Sequence, residues 1–139
     1  MELIILAGGF GSRLKSVVNN VPKCLADING TPFLYLLIQN WIKQGLNDFV
    51  FSLHYESEKI INFIEKEKSF LFKNCKVRYV VEPVPLGTGG AVSYVLSNLK
   101  INENFLVVNS DTWMDDGIPQ LINSKPPTIL SVHVDNVSR

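Results

Sequence analysis

The sequence predicts an α/β fold, a Rossmann-like three-layer sandwich with a mainly parallel sheet. Two observations lead there. Short apolar runs alternate with segments of helical periodicity along the chain, and three polar loops follow directly on apolar runs. Alternating strands and helices need crossover connections, which give a mainly parallel sheet covered on both faces. Open sheets of this kind bind ligands beyond the carboxyl ends of their strands. Those are the places occupied by the glycine loop after residue 7, the glycine run after Val81 and the polar stretch after Val108.

The elements follow in order. Residues 3–6 read as a short buried strand running into glycines. Residues 24–28 read as a second short strand, closed by the turn dipeptide Asn29-Gly30. Thr31-Pro32 has the form of an N-cap followed by proline at the first helical position. Leu34, Leu37, Ile38, Trp41 and Ile42 then recur at helical spacing, and Gly45 supplies a stop. Residues 49–53 are a strand. Ser57 can cap a helix whose apolar face is Ile60, Ile61, Phe63 and Ile64. Residues 77–81 are a strand, 88–99 a helix with Thr88 as its cap, 105–108 a strand, 117–123 a short helix and 129–134 a final strand.

With 139 residues, one domain is expected, and 46% hydrophobic with 19% charged residues suffices for a sizeable core. Thirteen basic side chains balance thirteen acidic ones, so there is no global basic field to attract nucleic acid. Phosphate affinity must come from a local site. Cys24 and Cys75 form no close-spaced pair and no metal-ligand pattern with His54 or His133, so both read as reduced structural thiols. The apolar opening is preceded by Glu2 and is shorter than the roughly 7–15 residues of a signal peptide core. No apolar run approaches the ~20 residues that cross a bilayer. A soluble, cytoplasmic protein that engages no membrane is expected.

The stretch LAGGFGSRL carries the first chemistry. Gly8, Gly9 and Gly11 let a ligand approach bare main chain, and successive N–H groups form an anion-binding concavity. A tight strand-to-helix turn needs one or two glycines and no cation; Arg13 argues for more, because a guanidinium binds phosphate oxygens bidentately. The pattern is neither the dinucleotide fingerprint nor the ATPase phosphate loop. Lys23 follows Pro22, which could aim its ammonium at the glycine loop; a solvated surface lysine is the alternative.

In EPVPLGTGGAV, Gly87, Thr88, Gly89 and Gly90 exceed what a turn requires and suit a wall against a base or sugar. Glu82 could accept from the N1–H and amino group of guanine, or serve in a salt bridge or cap. In VVNSDTWMDD, Asp111 stands at a strand tip, where a carboxylate can hold magnesium beside phosphates or can cap the following turn. Asp115 and Asp116 read as solvated turn residues. His54 and His133 read as core or edge histidines, and Tyr55 and Trp113 as sugar-pocket or packing aromatics.

Taken together, LAGGFGSRL, the later VPK, GTGGA and the strand-tip Asp111 resemble the sugar-1-phosphate nucleotidyltransferases, in that order and across nearly the whole chain. PLGTGGA and NSDTW are most similar to the branch that joins GTP to a heptose 1-phosphate. The resemblance implies that the main chain at Leu6, Ala7, Gly8 and Gly9 holds base and ribose, and that Gly11, Ser12 and Arg13 hold the triphosphate. Lys23 would neutralise phosphates at the reacting centre. Glu82, Gly87 and Thr88 would contact the base, and Asp111 would bind Mg2+. The implied partners are a nucleoside triphosphate, GTP favoured, and a sugar 1-phosphate, with pyrophosphate released and a nucleotide sugar formed. A non-catalytic nucleotide-binding module and a UTP- or dTTP-dependent hexose-1-phosphate transferase are the alternatives. A glycosyltransferase would need an Asp-x-Asp motif, which Asp111-Thr112-Trp113 is not. Family chains usually run past 200 residues and draw a second metal ligand and much of the sugar pocket from their later part. Residues 1–139 therefore read as the N-terminal, nucleotide-binding part of a longer catalytic domain. An uncovered sheet edge would favour self-association into a homo-oligomer.

Overall fold

The computed structural model describes residues 1–10 and 21–131. Four parallel strands form one sheet: β1 (Glu2–Ala7), β4 (Asp48–Leu53), β5 (Lys76–Val81) and β6 (Phe105–Asn109), in the order β5-β4-β1-β6. The register sets Ala7 beside Leu53, Leu53 beside Val81, and Leu6 beside Asn109. The carboxyl ends of all four strands thus finish level. Between β1 and β4 lie a hairpin of β2 (Asp27–Ile28) and β3 (Thr31–Pro32), and helix α1 (Phe33–Lys43). Helix α2 (Ser57–Glu67) joins β4 to β5, α3 (Gly87–Asn98) joins β5 to β6, and α4 (Ile118–Asn123) follows.

Side chains alternate across the sheet, as the strand pleat requires. Leu3 and Ile5 of β1, with Phe49, Phe51 and Leu53 of β4, face a layer made by Leu34, Leu37, Ile38 and Trp41 of α1 and Ile60, Phe63 and Ile64 of α2. Ile4, Val50 and Val80 face the other way and pack on Val95 of α3. The result is the expected three-layer sandwich. Burying a large apolar side chain contributes about 1.5–3 kcal/mol, so the thicker α1–α2 layer carries most of the stabilisation.

Several local expectations change in detail. Only Asp27 and Ile28 of the expected strand at 24–28 pair; Lys23–Leu25 is a single 3-10 turn. Asn29 and Gly30 both take positive φ, 52° and 86°, which is what a two-residue hairpin demands. That hairpin overrides the expected N-cap: Thr31 pairs with Ile28, so it is a strand residue. Pro32 keeps an extended ψ of 136°, and the helix begins at Phe33. Its first N–H is satisfied by the Ala26 carbonyl at 2.9 Å rather than by a side chain. Ser57 and Thr88 lie inside their helices, not ahead of them. Glu56, in the left-handed region at φ 51°, precedes α2, and Leu86 precedes α3, neither with a side-chain cap. Residues 129–131 form no strand, and the rest of the expected final strand, with His133, lies outside the described residues.

At the amino end of the sheet a polar network ties three strands together. Arg78 of β5 donates to Asp48 of β4 at 2.9 Å and to the Lys100 carbonyl at 2.8 Å, and reaches Glu2 of β1 at 3.5 Å. Glu2 also accepts from the backbone N–H and side-chain amide of Asn102, at 3.3 and 2.7 Å. Burial would raise the Glu2 pKa, but the Asn102 hydrogen bonds and the Arg78 charge outweigh it and hold the carboxyl below its ordinary value.

Candidate nucleotide site

The opposite, carboxyl end carries the expected convergence of loops. Two backbone bonds extend the sheet by one residue into the site: Ser110 N–H donates to Leu6 O at 3.1 Å, and Glu82 N–H to Leu53 O at 2.7 Å. Beyond them opens a cavity of about 550 Å³, within the roughly 300–1,000 Å³ usual for small-molecule sites. Leu6, Ala7, Gly8 and Gly9 line it from β1, Lys23 from the 3-10 turn, Glu82, Gly87 and Thr88 from the β5–α3 connection, and Asp111 from the end of β6. Gly11, Ser12 and Arg13 lie outside the described residues.

At one end of the cavity, Lys23 Nζ donates to Asp111 Oδ2 at 2.7 Å. Pro22, at φ −51°, feeds the 3-10 turn that presents the lysine, and the Pro22 carbonyl accepts from Leu25 N–H at 2.8 Å. Both partners remain open to water, with 40% and 37% of their side chains exposed. Such a pair contributes at most about 1 kcal/mol to folding. It is a meeting of opposite charges open to solvent at the cavity. The loop after Asp111 is anchored from α1: Asn40 donates to the Met114 carbonyl, and Gln44 accepts from Ile118 N–H at 3.1 Å.

At the other end, Glu82 is 5% exposed. One carboxylate oxygen accepts from Ser52 Oγ at 2.8 Å, the other from Leu86 N–H at 3.2 Å. Glu82 thus braces the loop before α3 through a hydroxyl and a backbone N–H, not through the salt bridge or helix cap that the sequence offered, and lone pairs remain for a further donor. Gly8 sits hard against it. A Cβ there would come within 3.2 Å of both Glu82 Oε1 and His54 Cβ, so only glycine fits without displacement. His54 Nδ1 is 2.9 Å from the Glu82 carbonyl, which can only accept, so that nitrogen carries the hydrogen.

Phe10, Pro22, Cys24, Pro85, Leu86, Ala91, Asn109 and Ser110 also line the cavity, although sequence reasoning assigned none of them a place in the site. Most flank residues that were singled out. Burial pushes the Cys24 thiol up to about 11, so it stays protonated at neutral pH and is no nucleophile. Cys24 and Cys75 are both free. Among the described residues, no group of three or more His, Cys, Asp or Glu side chains could hold a metal ion. Magnesium typically takes only one or two carboxylates where phosphates complete its shell, and Asp111 is a carboxylate that lines the cavity. No helix among the described residues is long and apolar enough to cross a membrane.

Residues 2–128 match the family model for nucleotidyl transferase. The chain belongs to this family. It is 39% identical over 121 residues to a D-glycero-alpha-D-manno-heptose 1-phosphate guanylyltransferase of Campylobacter jejuni, an alignment covering 87% of this chain and 52% of that protein. The protein of the same description from Aneurinibacillus thermoaerophilus is 37% identical, with 81% and 46% covered. The crystal structure of HddC from Yersinia pseudotuberculosis complexed with GMP-PN superposes with a TM-score of 0.76 at 38% identity, covering 87% of this chain and 52% of that one. The chain therefore spans about half the length of the relatives it matches. Of the residues in the motifs, Gly8, Gly9, Lys23, Gly87, Thr88 and Asp111 line the one cavity described above.

Proposed function

We propose that this chain is the nucleotide-binding part of a sugar-1-phosphate guanylyltransferase, which transfers GMP from GTP to a heptose 1-phosphate. The observation that carries the reading is the meeting of Lys23 and Asp111, 88 positions apart in sequence, beside the Gly8-Gly9 main chain. The names of the relatives support the guanylyl and heptose choices. In this reading Leu6, Ala7, Gly8 and Gly9 hold base and ribose, while Gly11, Ser12 and Arg13 hold the triphosphate. Glu82, Gly87 and Thr88 contact the guanine. A sugar phosphate oxygen attacks the α-phosphorus in line; the new P–O bond forms as the bond to the β-phosphate bridging oxygen breaks, and pyrophosphate leaves. Catalysis of such a transfer is mainly positioning and charge neutralisation. Lys23 neutralises phosphate oxygens near the reacting centre. Asp111 would hold Mg2+, which when bound supplies further charge neutralisation. The product, a nucleotide sugar, suits surface polysaccharide synthesis in the cytoplasm.

Calorimetric titration with GTP, UTP and dTTP in magnesium, beside pyrophosphate release with a panel of sugar 1-phosphates, tests this. Binding of GTP in preference to UTP and dTTP is expected, with heptose 1-phosphate the preferred acceptor wherever release occurs. Preference for UTP or dTTP would overturn the guanylyl assignment, and no binding of any of the three would overturn the nucleotide reading itself.

A further inference from the structure

Phe10 stands out among the cavity residues as a large apolar side chain that is exposed rather than buried. The residue is 46% exposed, although its ring touches two other aromatic rings. One is His54, edge-on at 5.7 Å between centroids; the other is Tyr55, tilted at 5.3 Å. The core gains little from such a side chain, and water is a poor neighbour for its outer face. Its place is set by the strand order. Glu82 follows β5, His54 follows β4 and Phe10 follows β1, whereas Asp111 and Lys23 lie on the β6 side. Phe10 therefore borders the carboxylate end of the cavity, and His54 links the two directly through its bond to the Glu82 carbonyl at 2.9 Å.

The space beside it is open. Among the described residues, a Cβ at Gly9 would meet nothing within 4 Å, and the same holds for Gly87, which lines the same cavity. Two stretches of bare backbone thus face a gap with an exposed ring at its margin and a buried carboxylate behind.

We propose that Phe10, held by His54 and Tyr55, is the ring against which the nucleotide base packs, and that it favours purine over pyrimidine. This rests on the nucleotide reading of the cavity and adds a residue to it. A purine offers more π-face than a pyrimidine, so the contact discriminates by area, while Glu82 discriminates by hydrogen bonding. The second aromatic pair, Phe33 with Trp113 at 6.5 Å, sits beside Asp111 and is at the wrong end to serve the base.

The experiment compares wild type with Phe10→Ala and Phe10→Trp by calorimetry against GTP, GMP, UTP and inorganic tripolyphosphate, with circular dichroism to check folding. Base–aromatic packing lost to alanine is expected to weaken GTP and GMP by the same factor, roughly 5- to 100-fold. Tripolyphosphate affinity should not change, and the GTP-to-UTP preference should fall. Phe10→Trp should retain GTP binding, and its added indole emission should be quenched by GMP but not by tripolyphosphate. Equal losses for GTP and tripolyphosphate would assign Phe10 a purely structural role. Unchanged GTP binding in a folded Phe10→Ala protein would overturn the proposal while leaving the nucleotide reading intact. A wild type that binds no nucleotide would overturn both.

Discussion

The two ends of the sheet use charge in opposite ways. At the amino end, Glu2, Asp48 and Arg78 close on one another and on Asn102 and Lys100, and Glu2 is 4% exposed. At the carboxyl end, Lys23 and Asp111 meet through one hydrogen bond and both stay open to solvent. A closed network holds its charges because each would be stranded without the others. An exposed pair costs little to part, and each member can be handed to a ligand group of opposite sign. The same chemical types thus form a rivet at one end and a solvent-open pair at the other, which in the proposed function is the contact that ligand groups replace.

The contrast is broken most strongly at Asp111. GTP should bind wild type more tightly in magnesium than in EDTA, and Asp111→Asn should remove most of that difference, at least about tenfold given the worth of charge-assisted contacts. In EDTA the variant should bind GTP no worse than wild type, because a carboxylate near phosphates is lost. An unchanged magnesium effect would leave Asp111 as a partner of Lys23 alone.

Glu2 tests the other end. Glu2→Gln should cost roughly 1–3 kcal/mol of folding stability by urea midpoint, allowing for the partial exposure of Arg78, and should leave GTP affinity untouched. The folded pKa of Glu2 lies below its ordinary 4.5, so its stabilisation is complete above that value and is lost as pH falls through the folded one. The variant should accordingly show a flatter acid limb. A loss of nucleotide binding in Glu2→Gln would show that the two ends are coupled.

Lys23→Met sharpens the comparison with the smallest structural effect. Stability should move by less than about 1 kcal/mol, while triphosphate affinity falls by about tenfold and monophosphate affinity by less. A large drop in stability would make Lys23 a structural residue after all.

The four strands of the main sheet and its main helices were legible because their apolar residues recur with the right periods and turn residues mark their ends. What escaped depended on partners remote in sequence. Thr31 and Pro32 have the composition of a helix start, yet the pairing of Thr31 with Ile28 outweighs the cap. Nothing near Glu82 announces that Ser52 lies beside it, because that contact exists only once β4 and β5 are paired. The Lys23–Asp111 contact is hidden in the same way. Phe10 was passed over because it stands between glycines, whose signal concerns the backbone, and its aromatic neighbours arrive from the end of β4. The glycine and aspartate motifs could be read locally because each follows a strand.

The central place of β1 also bears on how the molecule is made. Of the four strands of the sheet, the apolar ELIILA is made before the other three, and its neighbours are residues 48–53 on one side and 105–109 on the other. Loop closure must precede such pairing, and parallel sheets are slow to form for that reason. At a translation rate of roughly 5–20 residues per second, β1 waits about 5–20 s before its second partner exists. During that interval one edge of an apolar strand is open to any other nascent chain. The strand whose carboxyl end borders the cavity in the finished protein is thus the one that waits longest, while the protein is being made, for its last partner in the sheet.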